Sequence, residues 1–226
     1  MEIQQLDRAI SLDESQSLLK KVIADVGDTA NFIYGNNSFV WNRVNKYAAL
    51  NTDVTNLSFY AEGGESKVYI NPYDGNNIYK AKVSENWHLL STSLCAIYAH
   101  NELFPDLYYE FLGFVYIDRV RVLLRQPFIK SGYAPTTDEV YSFLINNGYS
   151  YIGRGNTNKG IFQKGCYRVG DILDSKNNVC KVGQHIFFID PQITFAPPDI
   201  KTIETYFDLE TAWKSYVLDE RNKREL

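Results

Sequence analysis

Cysteine is scarce in this sequence, and its spacing excludes the common metal and redox motifs. The 226 residues contain three cysteines, Cys95, Cys166 and Cys180. No two of them have the Cys-x-x-Cys spacing of a zinc ribbon or of a thioredoxin-like site. An odd number of cysteines in a chain of this size is typical of reduced thiols. We therefore expect a cytoplasmic protein.

Long hydrophobic runs and an excess of positive charge are also missing. No apolar segment approaches the roughly 20 residues of a transmembrane helix. The first residues lack the basic and apolar regions of a signal peptide, so we expect no membrane partner. The formal net charge is −4, and no block rich in Lys or Arg precedes Arg221. The sequence therefore predicts no nucleic-acid partner.

Aromatic residues, by contrast, are abundant. They make up 15% of the chain, with 17 Tyr and 13 Phe, which favours half-buried strands and grooves over disorder. The chain is long enough to bury a core without disulfides and fits one domain or two small lobes.

Apolar residues at helical spacing predict five helices. They cover residues 11–26, 39–50 (more weakly), 86–103, a segment starting at Thr136, and 202–221. Ser11 with Glu14, and Thr136 with Glu139, match the capping box, in which a hydroxyl and a carboxylate satisfy the first backbone donors of a helix. Phe104-Pro105 should end the long third helix, because the residue before proline disfavours the α conformation.

Three short strands are predicted over residues 57–60, 67–70 and 77–83, joined by turns at Gly63-Gly64 and at 72–77. A glycine turn lets backbone N–H groups approach phosphates, and a strand lysine such as Lys80 adds a point charge. The pattern is equally that of a plain hairpin with an exposed lysine. Lys82 shares the strand face of Lys80, and spacing alone leaves the choice between them open.

Two further strands are predicted over residues 111–117 and 121–129, and a loop or irregular hairpin over 149–165. The stretch 167–193 then predicts a hairpin that carries acids and amides. Asp171 follows a short strand, a polar loop runs to Asn178, and a second strand ends at Asp190. Two carboxylates and an amide at one end of a sheet can hold a divalent cation. A surface hairpin with solvated acids is the alternative.

Taken in order, these parts resemble the small serine/threonine/tyrosine kinase-like domains of bacterial and phage polyvalent proteins. The resemblance covers about residues 57–195 and rests on the order and spacing of several stretches. They are Gly63–Tyr69, Ile78–Lys80, His100–Pro105 with Gly113-Phe114, Gln126–Ile129, Asp138–Tyr149 and Asp171–Asp190.

The resemblance implies an α+β fold, a minimal two-lobed protein-kinase-like fold. It would have an antiparallel N-lobe sheet, one long helix and a truncated C-lobe. We expect an N-terminal helical extension over residues 1–56, the N-lobe over 57–130 and the reduced C-lobe over 131–226. The chain ends soon after Asp190, so we expect no large peptide-binding platform.

The resemblance also implies ATP and Mg²⁺ as cofactors and assigns roles to the site residues. Gly63 and Gly64 would cover the nucleotide phosphates, Lys80 would reach those phosphates, and Gln126 would lie in the segment that meets the adenine. Three residues of the second half complete the site. Asp171 would accept the proton of the attacking hydroxyl, and Asn178 and Asp190 would hold Mg²⁺.

The chain departs from the family pattern at several positions. No acid has the Asp-x-x-x-x-Asn spacing to Asn178, so Asp174 is an alternative to Asp171 as the base. The long helix has no acid in its middle to pair with Lys80, and Glu65 or Glu102 are the alternatives. Three interpretations follow: a phosphotransferase acting on a hydroxyl, a weak or inactive kinase-like module that binds a protein partner, or a purely structural domain of a mobile-element protein.

Overall fold

The computed structural model describes residues 11–27, 41–42, 44–49, 56–83, 90–153, 160–173 and 178–195. Asp174 and the helix predicted over 202–221 lie outside these residues. The described chain divides into two compact units. Of the described residues, the first unit contains those up to Asn101 together with Tyr108–Phe128, and the second contains Glu102–Leu107 and those from Ile129 to Phe195.

The described residues form an α+β protein with antiparallel sheets. The helices are α1 (Leu12–Gly27), α2 (Leu90–Leu103) and α3 (Thr137–Asn146), with short 3-10 turns at Asn45–Tyr47 and Pro105–Leu107. The strands are β1 (Ser58–Glu62), β2 (Ser66–Asn71), β3 (Asp74–Lys82), β4 (Glu110–Tyr116), β5 (Val120–Pro127), β6 (Ser150–Gly153), β7 (Ile161–Lys164), β8 (Tyr167–Gly170), β9 (Val179–Val182), β10 (His185–Phe188) and β11 (Gln192–Phe195). Within these residues no helix is long and apolar enough to cross a membrane.

The first unit is built on a five-stranded antiparallel sheet with the strand order β1-β2-β3-β5-β4. Strand β3 is therefore central, and this position buries its second half. The predicted strand over 77–83 is confirmed but begins earlier, at Asp74, which pairs with Asn71. The reason is local, because the Asp74 carboxylate accepts hydrogen bonds from Asn76 N at 3.0 Å and Asn77 Nδ2 at 2.8 Å, which fixes the start of the strand.

Two predicted helices of the first unit are confirmed in the residues described. Ser11 caps α1, since Glu14 N donates to Ser11 Oγ at 3.2 Å and Ser11 N donates to Glu14 Oε2 at 2.9 Å. Helix α2 ends at Leu103, directly before Phe104-Pro105. The weak helix predicted over 39–50 is shorter, since Ala48 leaves the helical conformation and bridges to Phe114 of β4.

The second unit contains a four-stranded sheet with the order β11-β8-β7-β6, a separate hairpin of β9 and β10, and α3. The hairpin predicted around Gly183 is confirmed, with φ +60° at that glycine. Strand β8 does not belong to it: β8 pairs with β7 and β11. The residues described between 149 and 165 form the β6–β7 hairpin, which settles that prediction in favour of a hairpin.

Candidate functional site

Lys80 lies in the middle of the central strand of the first unit. It is paired in register with Val68 of β2 and Leu124 of β5, and 4% of its surface is exposed. A lysine amine in such a place needs polar partners, because burial disfavours its charge. Its Nζ lies 3.3 Å from the hydroxyl of Tyr109, to which it donates. The alternative of a plain hairpin with an exposed lysine is therefore wrong for Lys80.

Lys82 extends from the same strand face, as the sequence predicts. Its Nζ lies 5.7 Å from the centre of the Tyr109 ring, and the Nζ of Lys80 lies 5.2 Å from that centre. The two amines thus share one aromatic ring. They differ in burial, since Lys82 is only partly buried.

Gly63 and Gly64 form the turn between β1 and β2. Gly63 N donates to Ser66 O at 2.9 Å, which closes the turn. A Cβ built on Gly64 would meet nothing within 4 Å, and one on Gly63 would meet only Ser66 O at 3.9 Å. The fold itself therefore does not demand glycine at these two positions. Close approach of a ligand to the backbone would be a separate reason for glycine at these two positions.

Gln126 lies in β5, and none of its surface is exposed. It pairs with Ile78 of β3, and the strand ends one residue later at Pro127. A side chain buried this completely is not accessible to a ligand. If this segment meets a nucleotide, it does so through main-chain groups.

The preceding residue, Arg125, forms an ion pair that was not predicted from the sequence. Its Nη2 lies 2.5 Å from Oε2 of Glu110 on β4, and both side chains are nearly buried. The register pairs these two residues across β4 and β5. Alternation along two separate strands cannot reveal such a pair until their register is known. The pair ties the edge strand β4 to β5.

In the second unit, the structure brings together the three acid and amide residues of the predicted site. Asn178 Nδ2 donates to the backbone carbonyl of Asp171 at 2.8 Å. The carbonyl of Asn178 accepts from Ile189 N at 2.8 Å and from Asp190 N at 3.4 Å. Asn178 therefore joins the residue after β8 to the two residues that follow β10. The longer spacing between Asp171 and Asn178 does not keep these two residues apart.

Asp171 has an unusual backbone conformation. Its φ is +56°, and no other non-glycine residue among those described has a positive φ. Aspartate tolerates this region better than most residues, and such conformations cluster at functional sites. The buried side chains of Ile172 and Leu173 follow directly and anchor the start of the loop.

Asn178 and Asp190 carry oxygen donors of the kind that Mg²⁺ prefers, but too few to surround the ion without other ligands. Among the described residues, no group of three or more His, Cys, Asp or Glu could hold a metal. Mg²⁺ in phosphate-transfer sites usually takes one or two carboxylates, with phosphate oxygens and water completing the shell. The carboxamide oxygen of Asn178 and the carboxylate of Asp190 are ligands of this kind.

The predicted site residues are divided between the two units. Lys80, Gly63, Gly64 and Gln126 belong to the first, and the loop from Asp171 to Asp190 belongs to the second. A separate pocket of about 180 Å³ lies within the second unit, between the turn after α2, the end of α3 and β10. None of its lining residues is a predicted site residue.

These features define the class first: an α+β protein of antiparallel sheets, with a buried lysine on a central strand and an asparagine hydrogen-bonded to the backbone of two aspartates. The particular family follows from comparison. A family model described as serine/threonine/tyrosine kinase found in polyvalent proteins matches residues 34–196. The match covers well over half of the chain, so the chain belongs to this family. Neither a search of curated proteins nor a search of solved structures found a match.

Proposed function

We propose that this protein binds ATP with Mg²⁺ and transfers the γ-phosphoryl group to a hydroxyl. The observation that carries the proposal is the set of hydrogen bonds through which Asn178 joins Asp171 to Asp190. Membership of a kinase family supports it, because kinases in general use a nucleotide and a divalent cation. We also propose a minimal two-lobed kinase-like fold, with the N-lobe over residues 57–130, the reduced C-lobe over 131–226 and a helical extension over residues 1–56.

In the proposed reaction, the oxygen of the acceptor hydroxyl forms a new bond to the γ-phosphorus. The bond from that phosphorus to the β,γ-bridging oxygen breaks, and ADP leaves with the electron pair. The carboxylate of Asp171 takes the proton of the hydroxyl. The Lys80 ammonium offsets negative charge on the phosphates, and the turn at Gly63 and Gly64 offers backbone N–H groups to them. Asn178 and Asp190 would hold Mg²⁺, which supplies further charge neutralisation when bound.

Calorimetric titration with ATP tests the binding step. We expect wild-type protein to bind ATP, and to bind it more tightly with Mg²⁺ than with EDTA. Lys80→Met should abolish or greatly weaken binding. The matched control Lys82→Met removes an amine from the same strand face and should leave binding nearly intact. No heat of binding at millimolar ATP would refute the proposal.

Transfer of labelled γ-phosphate, to the protein itself or to a hydroxyl acceptor, tests the chemical step. Asp190→Asn should abolish transfer. Asp171→Asn should reduce it more than Asp174→Asn does, and full activity in both variants would rule out both residues as the base. Binding without transfer in the wild type would favour the second function, a kinase-like module that engages a protein partner.

A further inference from the structure

The buried amine of Lys80 contacts Tyr109, a residue to which the kinase resemblance assigns no role. The helix α2 carries no acidic residue from Leu90 to Asn101, so its middle offers no carboxylate for an ion pair. Tyr109 contacts the amine in two ways. Its hydroxyl accepts a hydrogen bond from Nζ at 3.3 Å, and its ring centre lies 5.2 Å from the same atom. A hydroxyl and an aromatic face both stabilise an ammonium ion without neutralising its charge.

Side-chain hydrogen bonds from two helices fix the backbone of Tyr109. Its N–H donates to Asn101 Oδ1 at 2.7 Å, and its carbonyl accepts from Asn101 Nδ2 at 2.8 Å. The same carbonyl also accepts from Ser15 Oγ at 3.3 Å, while Phe111 N donates to that hydroxyl at 3.1 Å. Helices α1 and α2 thus both fix the residue that touches Lys80. The His100 ring adds a further contact, with its centre 4.3 Å from that of Tyr109.

We propose that Tyr109 is the positioning residue for Lys80. Its hydroxyl and ring hold the ammonium in the orientation in which it meets the phosphates of ATP. The role in ATP binding rests on the function proposed above. The positioning of the amine can be tested without nucleotide.

The direct test observes the side-chain ammonium groups of the ligand-free full chain by nitrogen NMR. Lys80→Met assigns the Lys80 signal. Tyr109→Phe keeps the ring and removes the hydroxyl, and we expect it to shift that signal and to speed hydrogen exchange at the amine. Tyr108→Phe is the matched control, since it removes the hydroxyl of the adjacent residue, and should leave the Lys80 signal in place. An unchanged Lys80 signal in Tyr109→Phe would overturn the proposal.

Nucleotide affinity gives the second readout. We expect Tyr109→Phe to raise the Kd for ATP with Mg²⁺ roughly tenfold, as the loss of a hydrogen bond to a charged group would. Tyr109→Leu, which removes the ring as well, should raise it further. The melting temperature of Tyr109→Phe should stay close to that of the wild type. A large fall in melting temperature with unchanged Kd would indicate a merely structural role and contradict the proposal.

A double-mutant cycle measures the interaction between Lys80 and Tyr109 even if one of the variants is less stable than the wild type. The unfolding constants of wild type, Lys80→Met, Tyr109→Phe and the double variant should show coupling of roughly twofold or more. Independent effects would count against a direct contact between the two side chains. If wild-type protein binds no ATP, the proposed function fails, while the NMR signal and the cycle still decide whether Tyr109 positions the amine.

Discussion

At the scale of single residues, two glycines of the first unit stand in opposite environments. A Cβ on Gly64 would meet nothing within 4 Å. Gly113 has φ +131°, and a Cβ there would lie 2.7 Å from the backbone nitrogen of Ala49. We expect Gly113→Ala to lower the free energy of unfolding by about 2 kcal/mol or more, through backbone strain and the clash. Gly64→Ala should change it by less than about 0.5 kcal/mol. Urea denaturation measures both.

The same Gly64→Ala variant then reports on ligand contact. Because the fold tolerates the methyl group, weaker ATP binding by this variant would indicate that phosphates approach the turn closely. Unchanged affinity, with stability also unchanged, would count against a role for Gly64 in covering the phosphates.

Tyr149 provides a second prediction at this scale. Its hydroxyl is buried and has no hydrogen-bond partner within the part of the chain that the structure describes. Burial raises the pKa of this phenol to about 12. A buried hydroxyl without a partner destabilises a fold. We therefore expect Tyr149→Phe to raise the free energy of unfolding by about 1 kcal/mol.

Chemical denaturation at neutral pH checks this prediction. Tyr151→Phe is a suitable control, since Tyr151 is a partly exposed tyrosine two residues away. A clear loss of stability in Tyr149→Phe alone would mean that the hydroxyl is hydrogen-bonded, for example to a water molecule.

At the scale of elements, one carboxylate joins the start of α3 to the β9–β10 hairpin. Glu139 Oε2 accepts from Thr136 N at 2.8 Å in the capping box, and Lys181 Nζ of β9 lies 2.5 Å from its other oxygen. The Lys181 ammonium, with the Thr136 backbone and hydroxyl, lowers the pKa of Glu139 to about 2. The two oxygens thus connect elements that are far apart in the chain.

This lowered pKa predicts a pH dependence of stability. A carboxyl group whose pKa is lower in the folded state stabilises the fold above its unfolded pKa, near 4.5. That contribution is lost as the pH falls from about 4.5 towards 2. We expect Glu139→Gln to remove part of the fall in stability over this range, as measured by urea denaturation at a series of pH values. Asp138→Asn, in the same turn, is the control. An identical pH profile for Glu139→Gln and wild type would contradict the assignment.

The elements also show what the sequence could predict. The capping boxes at Ser11 and Thr136 were predictable because their partners are three residues apart and the pattern is local. The turn at Gly183 was predictable for the same reason. The contacts of Lys80 with Tyr109, and of Glu139 with Lys181, were not. Each joins residues more than 25 positions apart, and only the pairing of elements in the fold determines them.

At the scale of the whole molecule, the order of parts was more informative than any single motif. The α+β class and the kinase family were both predicted from that order and are confirmed. The spacing between Asp171 and Asn178 departs from the family pattern, yet the two residues are hydrogen-bonded. A loop can take up extra residues while its ends stay together, because the cost of closing it rises only slowly with length. The order of elements along the chain is therefore kept even where the number of residues between two site residues changes.

The last prediction concerns the linkage between ligand binding and the stability of the molecule. A ligand that binds only the folded state stabilises it by about 2.7 kcal/mol when its concentration is 100 times its Kd. We expect ATP to raise the melting temperature, and to do so more with Mg²⁺ than with EDTA. In Asp190→Asn the two conditions should give the same, smaller rise, since the variant lacks a carboxylate for the metal. Asp106→Asn, which removes another acid from the second unit, should behave like wild type. A full Mg²⁺-dependent rise in Asp190→Asn would show that the metal is held elsewhere.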